Sequence, residues 1–165
     1  MILSGTLIAS GLRFIMFKRN IILCDLDGTL SDYSERVHLY KDKDYKSFNE
    51  AGIHDKPIEK VCEIIRNLHC SYRPVDPIEV VIITARDESC RQDTAHWLKR
   101  NKIPYDGLLM RPKGDFSSDQ DCKAKLFETY FNIEEIWFVL EDRNSVVDMW
   151  RDKGLTCLQV ARSDF

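Results

Sequence analysis

Three stretches of the chain are apolar almost without interruption, and each runs into polar or acidic residues. IILCDL (21–26) leads into Asp27, IEVVIIT (78–84) ends on Thr84, and IEEIWFVL (133–140) leads into Glu141-Asp142. Continuous β-branched runs of this kind are strands covered on both faces, the habit of parallel strands inside a layered fold. Between them the apolar period changes to that of helices. Behind Pro57, residues Ile58, Val61, Cys62, Ile64, Ile65 and Leu68 form one stripe. Residues 87–101 predict a charged amphipathic helix with Trp97 and Leu98 as its core contacts and Ala95 a weaker one. KAKLFETYF (123–131) and RNSVVDMWRDKG (143–154) predict two more helices, the second stopped by Gly154. GLLMR (107–111) and LTCLQVA (155–161) predict short strands. Strand and helix alternate, so the expected fold is a three-layer α/β/α sandwich with a central parallel sheet, its site outside the carboxyl ends of the strands.

Two segments stand outside this alternation. Residues 31–57 are polar and aromatic with weak periodicity, which predicts one or two short helices lying over the site as a small cap-like insert. Residues 1–19 are read as an N-terminal extension to a domain spanning 20–165. Their apolar stretch is broken by Ser, Gly and Arg, is too short to span a bilayer, and lacks the basic lead of a signal peptide. Met16 is the expected start, with residues 1–15 then disordered or an artefact of the reading frame.

Composition narrows the function classes. The chain has 165 residues, 44% hydrophobic and 31% charged, enough for one domain with a real core. A formal net charge of −3 argues against a dedicated basic binding surface, though not against a local basic groove. The six cysteines form no CxxC pair and have no histidine at zinc-finger spacing, so they are expected to be reduced thiols of a cytoplasmic protein.

The chemistry gathers at strand ends. In DLDGTL (25–30), Asp25 and Asp27 flank one residue and Gly28 permits a tight exit. Two carboxylates this close repel unless a cation neutralises them, which makes them a site for a hard cation such as Mg²⁺. One carboxylate can attack phosphorus, and the other can protonate the departing oxygen and later deprotonate water. Thr84 could donate to a phosphoryl oxygen or cap a turn, and Arg86 could hold phosphate or be a surface charge. Lys123, opening a helix, could neutralise a transferring phosphoryl group, with Lys125 as its competitor. Glu141 and Asp142 are further metal-ligand candidates or acids at a helix start.

Taken in order, DLDGT, then Thr84, then Lys123, then Glu141-Asp142 resembles the four motifs of the haloacid dehalogenase (HAD) superfamily over about residues 20–165. Within it, the tail EDRNSVVDMWRDKGLTCLQVARSDF resembles the 3′-phosphatase domains of phage polynucleotide kinase–phosphatases. Arg36, Arg86 and Asp119 also agree with that family's functional residues, and the KxxLF run favours Lys123 over Lys125. Glu141 stands where that family has Asp, and no GxxxxGK[ST] kinase loop is present. The resemblance implies a HAD-like Rossmannoid fold and a phosphatase that forms an aspartyl-phosphate on Asp25, with Asp27 as acid and base. Thr84 and Lys123 would hold the phosphoryl oxygens, and Asp25, Asp27 (through its carbonyl), Asp142 and Glu141 would form the Mg²⁺ environment. Arg36, Arg86 and Asp119 would meet a phosphorylated nucleic-acid end, with Arg111 and Lys113 extending the rim. No dedicated protein partner and no membrane association are expected. A nucleotidase, or a receiver-like phosphoacceptor, uses similar residues, but a receiver carries no acid pair after its lysine. Tyr33, Tyr40, Tyr45 and Phe48 could stack bases, with packing of the insert onto the domain the favoured role.

Overall fold

The computed structural model describes residues 19–71 and 77–163, together with a backbone pairing of β1 (Ile8–Ala9) with β2 (Leu12–Arg13). The expected start at Met16, the account of residues 1–15, and the closing Asp164-Phe165 lie outside the described residues. So does most of the loop expected over 71–77.

In chain order the elements are β3 (Asn20–Cys24), β4 (Ser31–Asp32), α1 (Val37–Lys41), α2 (Tyr45–Ala51), β5 (Lys56–Pro57), α3 (Glu59–Cys70), β6 (Ile78–Asp87), α4 (Arg91–Arg100), β7 (Gly107–Arg111), α5 (Asp119–Tyr130), β8 (Ile136–Arg143), α6 (Asn144–Asp152) and β9 (Cys157–Ser163). Five strands form one parallel sheet in the order β7-β6-β3-β8-β9. The chain builds to one side of β3 and then crosses to the other, so the carboxyl end of β3 lies at the switch point, where α/β sheets open a crevice.

Side chains alternate along the central strands and feed two cores. Ile22, Cys24, Val80 and Ile82 pack with Val61, Cys62 and Ile65 of α3 and with Trp97 and Leu98 of α4. Ile21, Leu23, Val81 and Ile83 pack with Leu126 and Phe127 of α5 and with Val146, Val147 and Trp150 of α6. Ile21, Ile22, Leu23 and Cys24 are all 0% exposed. At about 1.5–3 kcal/mol per buried aliphatic side chain, this strand is the fixed reference from which the site is built. No helix among the described residues is long and apolar enough to cross a membrane.

Several boundaries differ from expectation. Pro57 belongs to β5, and α3 starts at Glu59. Ile64 falls at the edge of the apolar stripe and is 49% exposed. The insert carries two short helices as expected, but β4 and β5 also pair antiparallel and close its base. α5 begins at Asp119 because the Ser118 side chain accepts the Asp121 N–H and caps it. Lys123 therefore lies in the second turn of the helix, not at its opening, and is buried.

Candidate active site

Asp25 is the first residue after β3, and its backbone N–H donates to Leu140 O of β8 at 3.0 Å. Its carboxylate is buried. Oδ1 accepts from Lys123 Nζ at 2.6 Å, while Oδ2 has no hydrogen-bond partner. The same ammonium donates to Glu141 Oε2 at 2.7 Å. Glu141 Oε1 accepts the backbone N–H groups of Asp142 (3.1 Å) and Arg143 (3.2 Å), so both of its oxygens are engaged.

Asp25, Glu141 and Asp142 each place a carboxylate oxygen within 4.8 Å of the others, and all three are buried. Burial, and then the Glu141 charge, push the Asp25 carboxyl well above the usual range. The same two causes push Asp142 up to about 7. Burial works against the Lys123 ammonium, but the Asp25 and Glu141 charges prevail and hold it protonated. Three carboxylates against one ammonium leave the cluster two positive charges short, and a buried carboxylate oxygen without a partner is costly. An all-oxygen donor set with that deficit fits a hard divalent cation. Gly28 makes this approach possible. It holds φ +93°, and a Cβ there would sit 2.2 Å from Asp142 Oδ2.

Thr84 is buried in β6, beside β3. Its Oγ1 accepts the Arg86 N–H at 3.2 Å, which leaves the hydroxyl proton free to be donated.

Asp27 is held differently. Arg86 Nε donates to its Oδ2 at 2.8 Å and Arg86 Nη2 to its Oδ1 at 2.6 Å, and Arg36 also donates to Oδ1. Burial opposes its charge, but the Arg86 and Arg36 guanidiniums outweigh burial and hold the carboxyl well below the usual range. The two arginines, expected to meet substrate, are buried at 2% and 3% exposure and face inward onto Asp27 and Asp55. Asp55 is a site residue the sequence reading missed. It is one acid among several in a polar segment, and no local spacing ties it to Arg36 or Arg86.

Asp119 accepts from Arg111 Nη2 at 2.7 Å and from Arg143. Arg111 also donates to Ala85 O and Ser117 O, so it braces the β7–α5 loop instead of forming a rim. Lys125 is largely exposed and lies 3.8 Å from Asp115, while Lys123 occupies the cluster. The insert aromatics pack on one another. Tyr40 meets Tyr45 and Phe48 edge-on, and Tyr33 lies against Phe48.

The family described as the polynucleotide kinase PNKP phosphatase domain matches residues 19–165. Among solved structures, a chain of the Pnkp1/Rnl/Hen1 RNA repair complex is similar at 29% identity and TM-score 0.76, over 98% of this chain and 48% of that one. A chain of a second Pnkp1/Rnl/Hen1 complex structure is 30% identical, TM-score 0.75, over 92% of this chain and 48% of that one. This chain thus spans about half the length of those relatives. A haloacid dehalogenase-like hydrolase, SP0104 from Streptococcus pneumoniae, shares the fold at 19% identity and TM-score 0.60, over 86% of this chain and 84% of that one.

Proposed function

Because the chain belongs to the PNKP phosphatase-domain family of HAD phosphatases, we propose that it is a Mg²⁺-dependent phosphomonoesterase that works through an aspartyl-phosphate on Asp25 and removes 3′-phosphates from nucleic-acid ends. The observation that carries the mechanism is the asymmetry of Asp25, with one oxygen fixed by Lys123 and the other buried and unpartnered. A carboxylate clamped on one oxygen presents the other as a nucleophile of fixed direction.

In the first step Asp25 Oδ2 forms a bond to phosphorus as the bond from phosphorus to the sugar oxygen breaks. The departing oxygen takes a proton from Asp27. In the second step Asp27 takes a proton from water, which attacks the same phosphorus and frees Asp25. In the resting protein Asp27 is held as a carboxylate, the form needed for the second step. An incoming phosphate brings negative charge beside the Asp27 carboxylate and raises its proton affinity, as the first step requires. Lys123 and the Thr84 hydroxyl offset charge on the phosphoryl oxygens. Asp25, Asp142 and the Asp27 carbonyl would hold Mg²⁺, with Glu141 beside them; bound there, the ion neutralises phosphate charge.

A substrate panel tests the reading. With Mg²⁺, phosphate release is expected from 3′-phosphorylated DNA or RNA oligonucleotides in preference to 5′-phosphorylated ones and to nucleoside monophosphates. RNA belongs in the panel because relatives at 29–30% identity sit in Pnkp1/Rnl/Hen1 complexes, one described as an RNA repair complex. Release from mononucleotides with none from oligonucleotides would establish a nucleotidase instead.

A further inference from the structure

Four charged side chains form a closed group between the insert and the site: Asp27, Arg36, Asp55 and Arg86. Their charges sum to zero. The side chains of Arg36, Asp55 and Arg86 are 4%, 4% and 1% exposed, against 18% for Asp27. The group therefore opens toward the site only at Asp27.

Asp55 anchors the far side. It accepts from Arg36 Nε at 2.9 and 3.0 Å, from Arg36 Nη2 at 2.6 Å, and from the Ser31 hydroxyl. Arg86 Nη2 reaches it at 3.4 Å. Arg36 Nη1 donates to Phe48 O at 2.9 Å, and the guanidinium lies 4.0 Å over the Phe48 ring. With those sides taken, Arg36 meets Asp27 through Nη2 alone. Arg86 is pressed against Gly52, where a Cβ would lie 2.7 Å from its Cζ, and its fork closes on Asp27. Asp55 is itself held, because its carbonyl accepts the Trp97 indole N–H at 2.9 Å.

Buried ion networks stabilise folds poorly compared with apolar packing of the same volume. Without Asp55, two buried guanidiniums would face one carboxylate and carry a surplus positive charge beside the phosphate site. We infer that Asp55 is a positioning residue for the phosphatase reaction: it holds Arg36 and Arg86 turned onto Asp27, and so keeps the Asp27 carboxyl where it serves the leaving oxygen and then water. Gly52 provides the space that lets Arg86 do its share. The inference rests on the phosphatase reading above.

The test is steady-state and burst-phase kinetics of the full chain with Mg²⁺, comparing wild type, Asp55→Asn and Gly52→Ala. The substrates are a 3′-phosphorylated oligonucleotide and p-nitrophenyl phosphate, whose leaving group departs without needing a proton. On the oligonucleotide, kcat should fall about ten- to a hundred-fold in both variants, with KM within about two-fold. The phosphoenzyme burst amplitude should stay at its wild-type level, and the first-step rate with p-nitrophenyl phosphate should fall less than about three-fold. Wild-type rate constants in both variants, or equal losses of the first-step rate on the two substrates, overturn the inference. So does a loss confined to burst amplitude, which marks a structural role only. Should Asp55→Asn not fold, Asp55→Glu decides: it keeps the charge but shifts the carboxylate, and should show the same loss specific to the oligonucleotide. A wild-type chain that releases phosphate from neither substrate defeats the phosphatase reading itself, and this inference with it.

Discussion

Lys123 places its ammonium 2.6 Å from Asp25 Oδ1 across 98 positions of sequence, and from there it also reaches Glu141. One cation thus joins the end of β3, the second turn of α5 and the end of β8. Lys123→Met would leave three buried carboxylates with no protein cation among them. We expect a loss of about 3–5 kcal/mol in the metal-free protein, the cost of stranding buried charge, with part restored by Mg²⁺. The rate should drop by about 10²–10³. Urea unfolding in EDTA and in Mg²⁺ measures the first effect, and an unchanged EDTA midpoint would show that the ammonium offsets nothing.

Asp25→Asn should abolish turnover and the phosphoenzyme burst while leaving the fold intact. It removes one of three mutually repelling charges, so the EDTA melting temperature should hold or rise. Retained turnover would remove Asp25 as nucleophile.

A cation held at Asp142 would couple its binding to pH. The folded value of Asp142, about 7, lies above the unfolded value of about 3.9. Its stabilising contribution is therefore fully present below about pH 4 and is lost as pH rises toward 7, in the metal-free protein. A cation needs the ionised forms of Asp142 and of Asp25, which is also raised, so Mg²⁺ binding should tighten as pH rises from 5.5 through 7. Calorimetry in buffers of different ionisation enthalpy should find protons released on binding at pH 6 and fewer at pH 8.5. A pH-independent affinity would contradict this.

Gly28→Ala puts a Cβ into Asp142 Oδ2 at a backbone angle of +93°. Backbone strain alone costs on the order of 1–3 kcal/mol, and the carboxylate cannot retreat without opening the cluster. Mg²⁺ affinity and activity should both collapse. Gly114 has a similar angle, +84°, but a Cβ there meets nothing within 4 Å. Gly114→Ala should cost stability only, and comparing Mg²⁺ titrations of the two variants separates strain from collision.

The central strands and their terminal acids were legible because strands covered on both faces leave unbroken apolar runs, as at 80–83. The start of α5 was not, because SSDQD is as polar as a loop and only Ser118 as a cap marks the change. β6 likewise runs on past Thr84 through Ala85 and the charged Arg86 and Asp87. The inward turn of Arg36 and Arg86 was invisible for another reason. Their partner Asp55 lies 19 and 31 positions away, respectively, on a different element, and such contacts leave no period in the sequence.

The insert is closed on itself at its base by the β4–β5 pairing and joined to the domain by Arg36, which donates to Asp27, while α4 grips its return segment through Trp97 and through Arg100, which donates to Ile53 O at 2.5 Å. An insert fastened at so many points should move with the domain instead of swinging from it. For the proposed phosphatase, choice among substrates should then rest on the fixed shape of the insert instead of on a closing motion. Association should be a single, ungated event, and slender chain ends should pass where bulkier phosphates stall.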